Sequence, residues 1–125
     1  MSWEIIGRVN TAAEQGPGDY VETVLDLVEQ IPPGRATTYG VIAEAARVAT
    51  GKGSARTVGT VMAQYGGGVP WWRVVTASGA VAERVAGRGL ELLRNEGVPL
   101  TAHDPPRVDL AEAGWEPGES KPDQM

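Results

Sequence analysis

The sequence predicts a mainly α-helical fold, a small domain that contains a helix-turn-helix motif. The chain has 125 residues, a length typical of one domain. Apolar residues recur at helical spacing in several segments, and two of these segments are joined by the short turn Thr50–Gly53. A pair of core helices in any small α-helical domain would give the same pattern, so the pattern alone leaves both interpretations open.

The first helix is predicted over Tyr20–Gln30. Four apolar residues in it follow helical spacing: Val21, Val24, Leu25 and Val28. The segment Ile31–Gly34 that follows contains two adjacent prolines. Because proline lacks an N–H donor and restrains the residue before it, this segment is expected to end the helix.

The second and third helices form the helix-turn-helix pair. The second is predicted from about Tyr39 to Val48, with Thr37 or Thr38 as its cap. The third is predicted over Ala55–Gln64, with Ser54 as its cap and with three side chains pointing inward: Val58, Val61 and Met62. Small residues, Ala55, Gly59 and Ala63, line one face of this third helix and suit a close approach to another backbone.

The rest of the chain divides into short extended pieces, a final helix and two termini. Extended pieces are predicted at Arg73–Thr76 and Ala80–Val81, and a helix carries Leu90, Leu92 and Leu93 up to Asn95–Gly97. We expect a flexible segment at 1–19, the domain at 20–100, and an acidic, proline-rich tail at 101–125. The tail reads as flexible from residue 114 onward, with three side chains able to dock on the domain: Val108, Leu110 and Trp115.

Charge is distributed unevenly along the chain. The net charge is -5, yet residues 31–97 hold eight basic and four acidic residues, between acidic flanks. Since DNA affinity depends on local neutralisation of phosphates, this basic centre is compatible with DNA binding. Ordinary scatter of surface charge would explain it equally well.

Composition excludes several classes of function. The chain has no cysteine, which excludes disulfides, thiolate metal sites and a cysteine nucleophile. It has one histidine, His103, which argues against a histidine-based metal site. No metal or organic cofactor follows from the sequence. The apolar runs are far shorter than the roughly 20 residues that cross a membrane, and no secretory signal is recognisable. We therefore expect a cytoplasmic protein without membrane contact.

The most informative segment is Pro70-Trp71-Trp72-Arg73-Val74-Val75, which follows the glycine run Gly66–Gly68. Three further motifs stand in register with it: Ile31-Pro32-Pro33-Gly34 before Thr38-Tyr39-Gly40-Val41-Ile42-Ala43, then Ala55-Arg56-Thr57-Val58-Gly59, and finally Glu96-Gly97. As a set, over residues 21–100, these motifs resemble the O6-alkylguanine-DNA alkyltransferase family. Trp71 stands where that family has its alkyl-accepting cysteine, so the chain resembles the alkyltransferase-like proteins, whose fold is a winged-helix-like helix-turn-helix domain.

The resemblance implies DNA-binding roles for the helix-turn-helix. Tyr39 would contact the phosphate beside the target nucleotide and rotate that nucleotide out of the stack. Arg56 would enter from the minor groove and fill the space left by the base, a role that suits a planar guanidinium. Three further residues complete the expected DNA-binding set: Thr38, Ser54 and Gly59.

The resemblance also implies a pocket for the damaged base. Its expected lining is Pro70, Trp71, Trp72 and Arg84, where Trp71 offers an apolar wall without a nucleophile. Arg84 would lie beside the flipped base as a cation on its π face, within a loop at 83–89 that closes the pocket. Trp72 replaces the histidine of the active enzymes, so Glu96 is expected to pair with Arg73 or with the Trp72 N–H.

These features imply a non-enzymatic sensor. It would flip O6-alkylguanine in duplex DNA, hold the base without repairing it, and mark the lesion for nucleotide excision repair proteins, acting as a monomer. Two other interpretations stay open. One is a helix-turn-helix regulator without lesion preference, and the other is a protein-interaction module derived from an alkyltransferase.

Overall fold

A computed structural model describes residues 19–118 of the chain. Helix α1 covers residues 19–29, strand β1 is Thr37–Thr38, helix α2 is Tyr39–Thr50 and helix α3 is Ala55–Tyr65. Strand β2 (Val74–Val75), helix α4 (Ala86–Asn95) and helix α5 (Leu110–Ala113) follow, and single 3-10 turns lie at Gly66–Gly68, Trp71–Arg73 and Glu83–Val85. The mainly helical fold is confirmed. The expected flexible segment at 1–19 lies outside the described residues except for its last residue.

Side-chain caps fix the start of both helices in the helix-turn-helix. The Thr38 hydroxyl accepts the Val41 N–H at the start of α2. Ser54 and Thr57 form a reciprocal capping box at the start of α3, as the sequence predicts for Ser54. Helix α2 ends where Gly51 adopts a left-handed backbone with φ of 81°. These local signals set the bounds of both helices and leave three residues, 52–54, between Gly51 and α3.

The two short strands separate two apolar clusters. Strands β1 and β2 pair in parallel, with Thr37 opposite Val74 and Thr38 opposite Val75. Because successive side chains of a strand point to opposite faces, Val74 packs into one cluster and Val75 into the other. The first cluster joins α1, α2 and α3, and the second gathers α4 and the segments around it, including Leu90, Leu93, Val98 and Val108.

The C-terminal segment is part of the domain, which corrects the predicted boundary at residue 100. Val108 and Trp115 are buried, in the second and first cluster respectively. The backbone around α5 also pairs with the strand region: the Ala36 N–H donates to the Ala113 carbonyl, and the Trp115 N–H donates to the Ala36 carbonyl. Both side chains are among the three that were expected to be able to dock on the domain, whereas the backbone pairing with Ala36 was not predicted. Residues 119–125 lie outside the described part of the chain.

The extended pieces predicted on either side of the turn at 77–79 are joined by a hydrogen bond from the Thr76 N–H to the Ala80 carbonyl, and Val74–Val75 is the part that forms a strand. One local prediction is wrong. The predicted loop at 83–89 is a 3-10 turn that continues into α4. Gly89 is buried in this helix, and a Cβ atom there would lie 2.6 Å from Val81 Cγ1 and 3.4 Å from Trp71 Cζ3. This glycine therefore permits close packing rather than movement of a loop.

The docking of Trp115 leads to a stability prediction. Replacing a buried tryptophan by alanine costs roughly 3–5 kcal/mol because the apolar contacts are lost and a cavity remains. We expect Trp115→Ala to lower the free energy of unfolding by about this amount in urea denaturation. Val48→Ala, at a side chain that is 81% exposed, is the control and should change it by less than about 0.5 kcal/mol. Wild-type stability of Trp115→Ala would contradict the packing described for this segment.

Candidate nucleic-acid interface

A groove of about 430 Å³ runs along one side of the helix-turn-helix. It is lined by β1 and the start of α2, by one face of α3, and by the turn after β2: Thr38, Tyr39, Gly40, Ala55, Arg56, Gly59, Thr76 and Ala77. Four of the five residues predicted to bind DNA thus line a single surface. Thr76 and Ala77 were not predicted to belong to this surface. The only feature of the sequence that marked them was the turn that follows Val75.

Arg56 and Ser54 lie at the start of α3 with different roles in the local structure. Arg56 is exposed and lines the groove. A cation at a helix N-terminus is disfavoured by the helix dipole, so helix stability does not explain an arginine there. Ser54 does not line the groove, and its hydroxyl accepts the Thr57 N–H over 3.3 Å. The lining of this groove therefore does not support the predicted contact of Ser54 with DNA, which stays a prediction.

A second cavity of about 240 Å³ opens beside the groove. Its lining comes from the end of α3, the following glycine turn, and the segments around Trp71 and Arg84: Tyr39, Met62, Ala63, Gly66, Gly67, Trp71, Ala82, Arg84 and Val85. Tyr39 lines both the groove and this cavity, so its side chain stands between them. Since most of the other walls are small or apolar, the cavity suits a flat, largely apolar group.

The phenol of Tyr39 remains a hydrogen-bond donor at neutral pH. Burial raises the pKa of Tyr39, and the positive charge of Arg84 lowers it only in part, so the net pKa lies above the ordinary value of 10.0. A protonated phenol can donate to an anionic phosphate oxygen. Arg84 lines the same cavity as Tyr39, so the guanidinium and the phenol lie at one site.

Trp71 is held as a wall of the cavity by tight packing. It begins the 3-10 turn Trp71–Arg73, and Gly89 of α4 packs closely behind its ring. On its other side it meets Trp72 edge to face, with ring centroids 5.6 Å apart. These two contacts orient the half-buried ring at the wall of the cavity.

A hydrogen-bond network centred on Glu96 fixes the segment that carries Trp71. The Glu96 carboxylate accepts the Trp72 Nε1–H over 2.9 Å, the Arg73 Nε–H over 3.0 Å, and the Gly34 N–H over 3.3 Å. Arg73 also donates to the Ile31 carbonyl over 2.8 Å. Arg73 and Glu96 have side chains that are only 12% and 16% exposed. Glu96 therefore pairs with both of the partners that the sequence offered as alternatives.

The structure brings together only some of the residues predicted for the pocket. Trp71 and Arg84 line the cavity, whereas Pro70 and Trp72 do not. Trp72 instead packs against the second apolar cluster and donates to Glu96. Residues that sequence reasoning missed fill the remaining wall: Met62, Ala63, Gly66, Gly67, Ala82 and Val85. The glycine run after α3 was a signal for a loop and not for a binding surface.

The described residues show neither a metal site nor a membrane span. Within residues 19–118, acidic and histidine side chains form no group of three that could hold a metal ion. No helix in the same part of the chain combines the length and the apolar character needed to cross a membrane.

The fold and the site define a helix-turn-helix domain in which one groove leads to a small, aromatic-walled cavity. The family described as "6-O-methylguanine DNA methyltransferase, DNA binding domain" matches residues 19–98 of this chain. The match covers more than half of the sequence, and the chain belongs to this family.

Similar proteins include two whose names concern DNA. The chain is 29% identical over 104 residues to a DNA base-flipping protein of Vibrio parahaemolyticus, covering 78% of this chain and 97% of that protein. It is 32% identical over 107 residues to alkyltransferase-like protein 1 of Schizosaccharomyces pombe, covering 79% and 96% respectively.

Solved structures of S. pombe Atl1 share the fold. In one, Atl1 is in complex with damaged DNA containing O6-carboxymethylguanine; the TM-score is 0.67, the identity is 31%, and the match covers 80% of this chain and 97% of that chain. A second structure, of S. pombe ATL in complex with DNA, also has a TM-score of 0.67, with 30% identity and the same coverage. This fold has thus been solved bound to DNA in two structures.

The Glu96 network gives a pH-dependent stability prediction. Burial raises the pKa of Glu96. Hydrogen bonds from Arg73, Trp72 and Gly34, together with the charge of Arg73, lower the pKa by more than burial raises it, so the net pKa lies below 4.5. A carboxyl group whose pKa is lower in the folded protein stabilises it above the unfolded value, and this stabilisation is lost as the pH falls through the folded value.

We therefore expect Glu96→Gln to lower the free energy of unfolding at pH 7 by roughly 1.5–3 kcal/mol. The difference in unfolding free energy between variant and wild type should shrink as the pH falls below 4.5, because the wild-type carboxylate then becomes protonated and loses its charge. Urea denaturation over a pH series measures both effects. The control is Glu91→Gln, which removes an exposed pair with Arg88 and should cost less than about 1 kcal/mol. A stability gap independent of pH would contradict the role of the charged carboxylate.

Proposed function

We propose that this protein is a non-enzymatic reader of DNA damage, which binds O6-alkylguanine in duplex DNA by flipping the damaged nucleotide. One observation carries the proposal: Tyr39 joins the groove that contains Arg56 to the cavity walled by Trp71 and Arg84. A nucleotide rotated out of a duplex in the groove would have this cavity directly beside it. The names of the relatives, one base-flipping and one alkyltransferase-like, point the same way.

The groove would hold the duplex through contacts with the DNA backbone. The small residues on this face of α3, among them Gly59, allow the helix to approach the DNA closely. The protonated Tyr39 phenol would donate to the phosphate of the target nucleotide. Arg56 would enter the minor groove and stack in the space left by the base, which offsets part of the few kcal/mol that unstacking costs.

The cavity would hold the flipped base between an aromatic wall and a cation. The Trp71 ring offers an apolar face to the base and its alkyl group. The guanidinium of Arg84 would lie against the π system, where alkylation at O6 changes the electron density that the cation senses. Trp72 and Pro70 act indirectly in this proposal, since their positions support the Trp71 turn and do not line the cavity.

No alkyl group would be transferred. The chain contains no cysteine, and Trp71 occupies the place that the resembled enzymes give to their thiol. The protein would therefore leave the lesion chemically intact. In this proposal it acts as a monomer and presents the distorted duplex to nucleotide excision repair proteins. Because no bond is formed, presentation of the lesion to repair proteins would depend on the lifetime of the protein–DNA complex.

The first test is binding to a short duplex with a single O6-methylguanine and to its unmodified twin at the same salt concentration. We expect the damaged duplex to bind at least about tenfold more tightly, a difference of roughly 1.4 kcal/mol. Fluorescence anisotropy gives both affinities, and mass spectrometry of the recovered DNA should show the methyl group still in place. Equal affinities would instead identify a general DNA-binding domain, and loss of the methyl group would disprove the non-enzymatic mechanism.

Arg56→Ala separates lesion reading from the alternative of a protein-interaction module. Removing the guanidinium leaves the space of the flipped base empty, so affinity for the damaged duplex should fall by about tenfold or more. Arg94→Ala is a matched control, because Arg94 is also an exposed arginine but lies near the end of α4, away from the groove. An equal loss of affinity in both variants would mean that binding depends only on the total charge of the protein.

A further inference from the structure

The start of α3 is tied to α1 by a hydrogen bond that lies outside the binding surface. The Tyr20 hydroxyl is 2.6 Å from Thr57 Oγ1, and the two residues are 37 positions apart in the chain. Neither residue lines the groove that contains Arg56 or the cavity beside Tyr39. Thr57 directly follows Arg56, the residue that the proposed function places inside the duplex. The hydrogen bond can therefore act on Arg56 through the backbone.

The Thr57 hydroxyl takes part in three hydrogen bonds, and these fix the direction of the one with Tyr20. It accepts the Ser54 N–H over 2.8 Å and donates its proton to the Ser54 carbonyl over 2.9 Å. A hydroxyl has one proton and two acceptor positions. Since the proton of Thr57 is used on Ser54, Tyr20 donates and Thr57 accepts. This bond fills the last position of the Thr57 hydroxyl.

The Tyr20 side chain is itself held in place from two sides. It belongs to the first apolar cluster, and the residue is only 8% exposed. On the other side lies Gly53, in the turn before α3, with a φ of 119°. A Cβ atom at Gly53 would lie 2.5 Å from the Tyr20 ring carbon Cε1 and closer still to the hydroxyl, so glycine makes room for the phenol. The hydroxyl thus reaches Thr57 from a fixed side chain.

The first turn of a helix is the part that frays most easily, because its backbone N–H groups lack partners within the helix. In α3 the capping box of Ser54 and Thr57 supplies two of the missing hydrogen bonds. The box is local, so it orders the turn without tying it to another part of the domain. The hydrogen bond from Tyr20 adds that tie, because Tyr20 belongs to α1.

Arg56 makes this turn harder to hold. The helix dipole disfavours a cation at a helix N-terminus, and the first turn of α3 contains no acidic residue that would offset the charge. Fraying would move the guanidinium away from the helix end and relieve the repulsion. A hydrogen bond from a buried side chain opposes this movement and keeps the backbone of Arg56 in its helical position.

We propose that Tyr20 is a positioning residue for lesion binding: its hydroxyl holds Thr57 and thereby fixes the backbone from which Arg56 enters the duplex. An arginine on a fixed backbone loses less conformational freedom on insertion, which lowers the cost of binding. This role rests on the proposed function, because Arg56 needs a fixed position only where it fills the space of a flipped base. Tyr20 contacts neither the DNA nor the base and acts through Thr57.

The first test is Tyr20→Phe, which removes the hydroxyl and keeps the ring in the apolar cluster. We expect the affinity of the full chain for the O6-methylguanine duplex to fall about fivefold, or roughly 1 kcal/mol, in fluorescence anisotropy. Affinity for the unmodified duplex should change by less than about twofold, because it depends on phosphate contacts and not on an inserted arginine.

Tyr65→Phe is the matched control for this test. Tyr65 is 54% exposed at the end of α3, loses the same atom in the variant, and should leave both affinities at the wild-type value. Wild-type affinity of Tyr20→Phe for the damaged duplex, or an equal loss of affinity in the two variants, would overturn the proposal.

A double-mutant cycle separates positioning from a general loss of stability. If Tyr20 acts through Arg56, its hydroxyl has nothing to position once the guanidinium is gone. Tyr20→Phe should therefore have no further effect on damaged-duplex affinity in an Arg56→Ala background. A role in stability alone would give the same loss in both backgrounds, and that result would contradict the proposal. Urea denaturation verifies that each variant is folded under the binding conditions.

The acceptor of the hydrogen bond is tested at Thr57. Thr57→Val removes the hydroxyl and should weaken binding of the damaged duplex by at least as much as Tyr20→Phe. Thr57→Ser keeps the hydroxyl and should retain the wild-type affinity to within about twofold. Equal losses in the valine and serine variants would mean that the shape of the side chain matters and not its hydrogen bond, which would also overturn the proposal.

Hydrogen exchange measures the positioning in the absence of DNA. The Thr57 and Val58 N–H groups donate to the Ser54 side chain and carbonyl, so their exchange reports fraying of the first turn. In Tyr20→Phe both should exchange about fivefold faster, while the amides of α4 keep their wild-type rates. Lesion preference with unchanged exchange would overturn the positioning role alone. Equal binding of both duplexes by the wild-type protein would instead remove the proposed function, and the positioning role with it.

Discussion

The Glu96 carboxylate is the interaction on which the site depends most, because it joins three separate parts of the chain. It lies just after α4 and accepts hydrogen bonds from Trp72, from Arg73 and from the backbone of Gly34. Arg73 extends the connection to the Ile31 carbonyl, just after the end of α1. A largely buried charge is stable only when it is paired and hydrogen-bonded, and here every partner belongs to the fold itself. The turn that carries Trp71 is thereby fixed relative to both apolar clusters.

This fixed turn connects the cavity to the groove. Trp71 can serve as a wall only if its ring keeps one position, and close packing against Gly89 together with the edge-to-face contact with Trp72 provides that. On the opposite wall, Tyr39 begins α2 and lines both spaces. The Thr38 cap sets where α2 begins and therefore where Tyr39 lies. Helix capping and a buried ion pair, two ordinary features of stability, thus determine the geometry of the proposed binding site.

Local signals in the sequence predicted the helices well, because capping and periodicity act within a few residues. Ser54 at the start of α3 is the clearest example, since its capping box needs only the residues up to Thr57. Long-range contacts were predictable only in part. Trp115 was expected to be able to dock on the domain, but its backbone pairing with Ala36, nearly 80 positions away, has no local signal in the sequence. The helical state of residues 86–89 depends likewise on packing of Gly89 against Val81 and Trp71.

Trp72 illustrates how a site can change its chemistry and keep its architecture. The resembled enzymes have histidine here, and a histidine can move a proton, whereas an indole can only donate its N–H. Donation is what Glu96 requires, and the Trp72 Nε1–H supplies it over 2.9 Å. The larger ring also fills space in the second apolar cluster and lies under the Arg73 guanidinium, 5.4 Å from it. Trp72 therefore supplies the hydrogen bond that orients the turn, and it does so without an acid–base group.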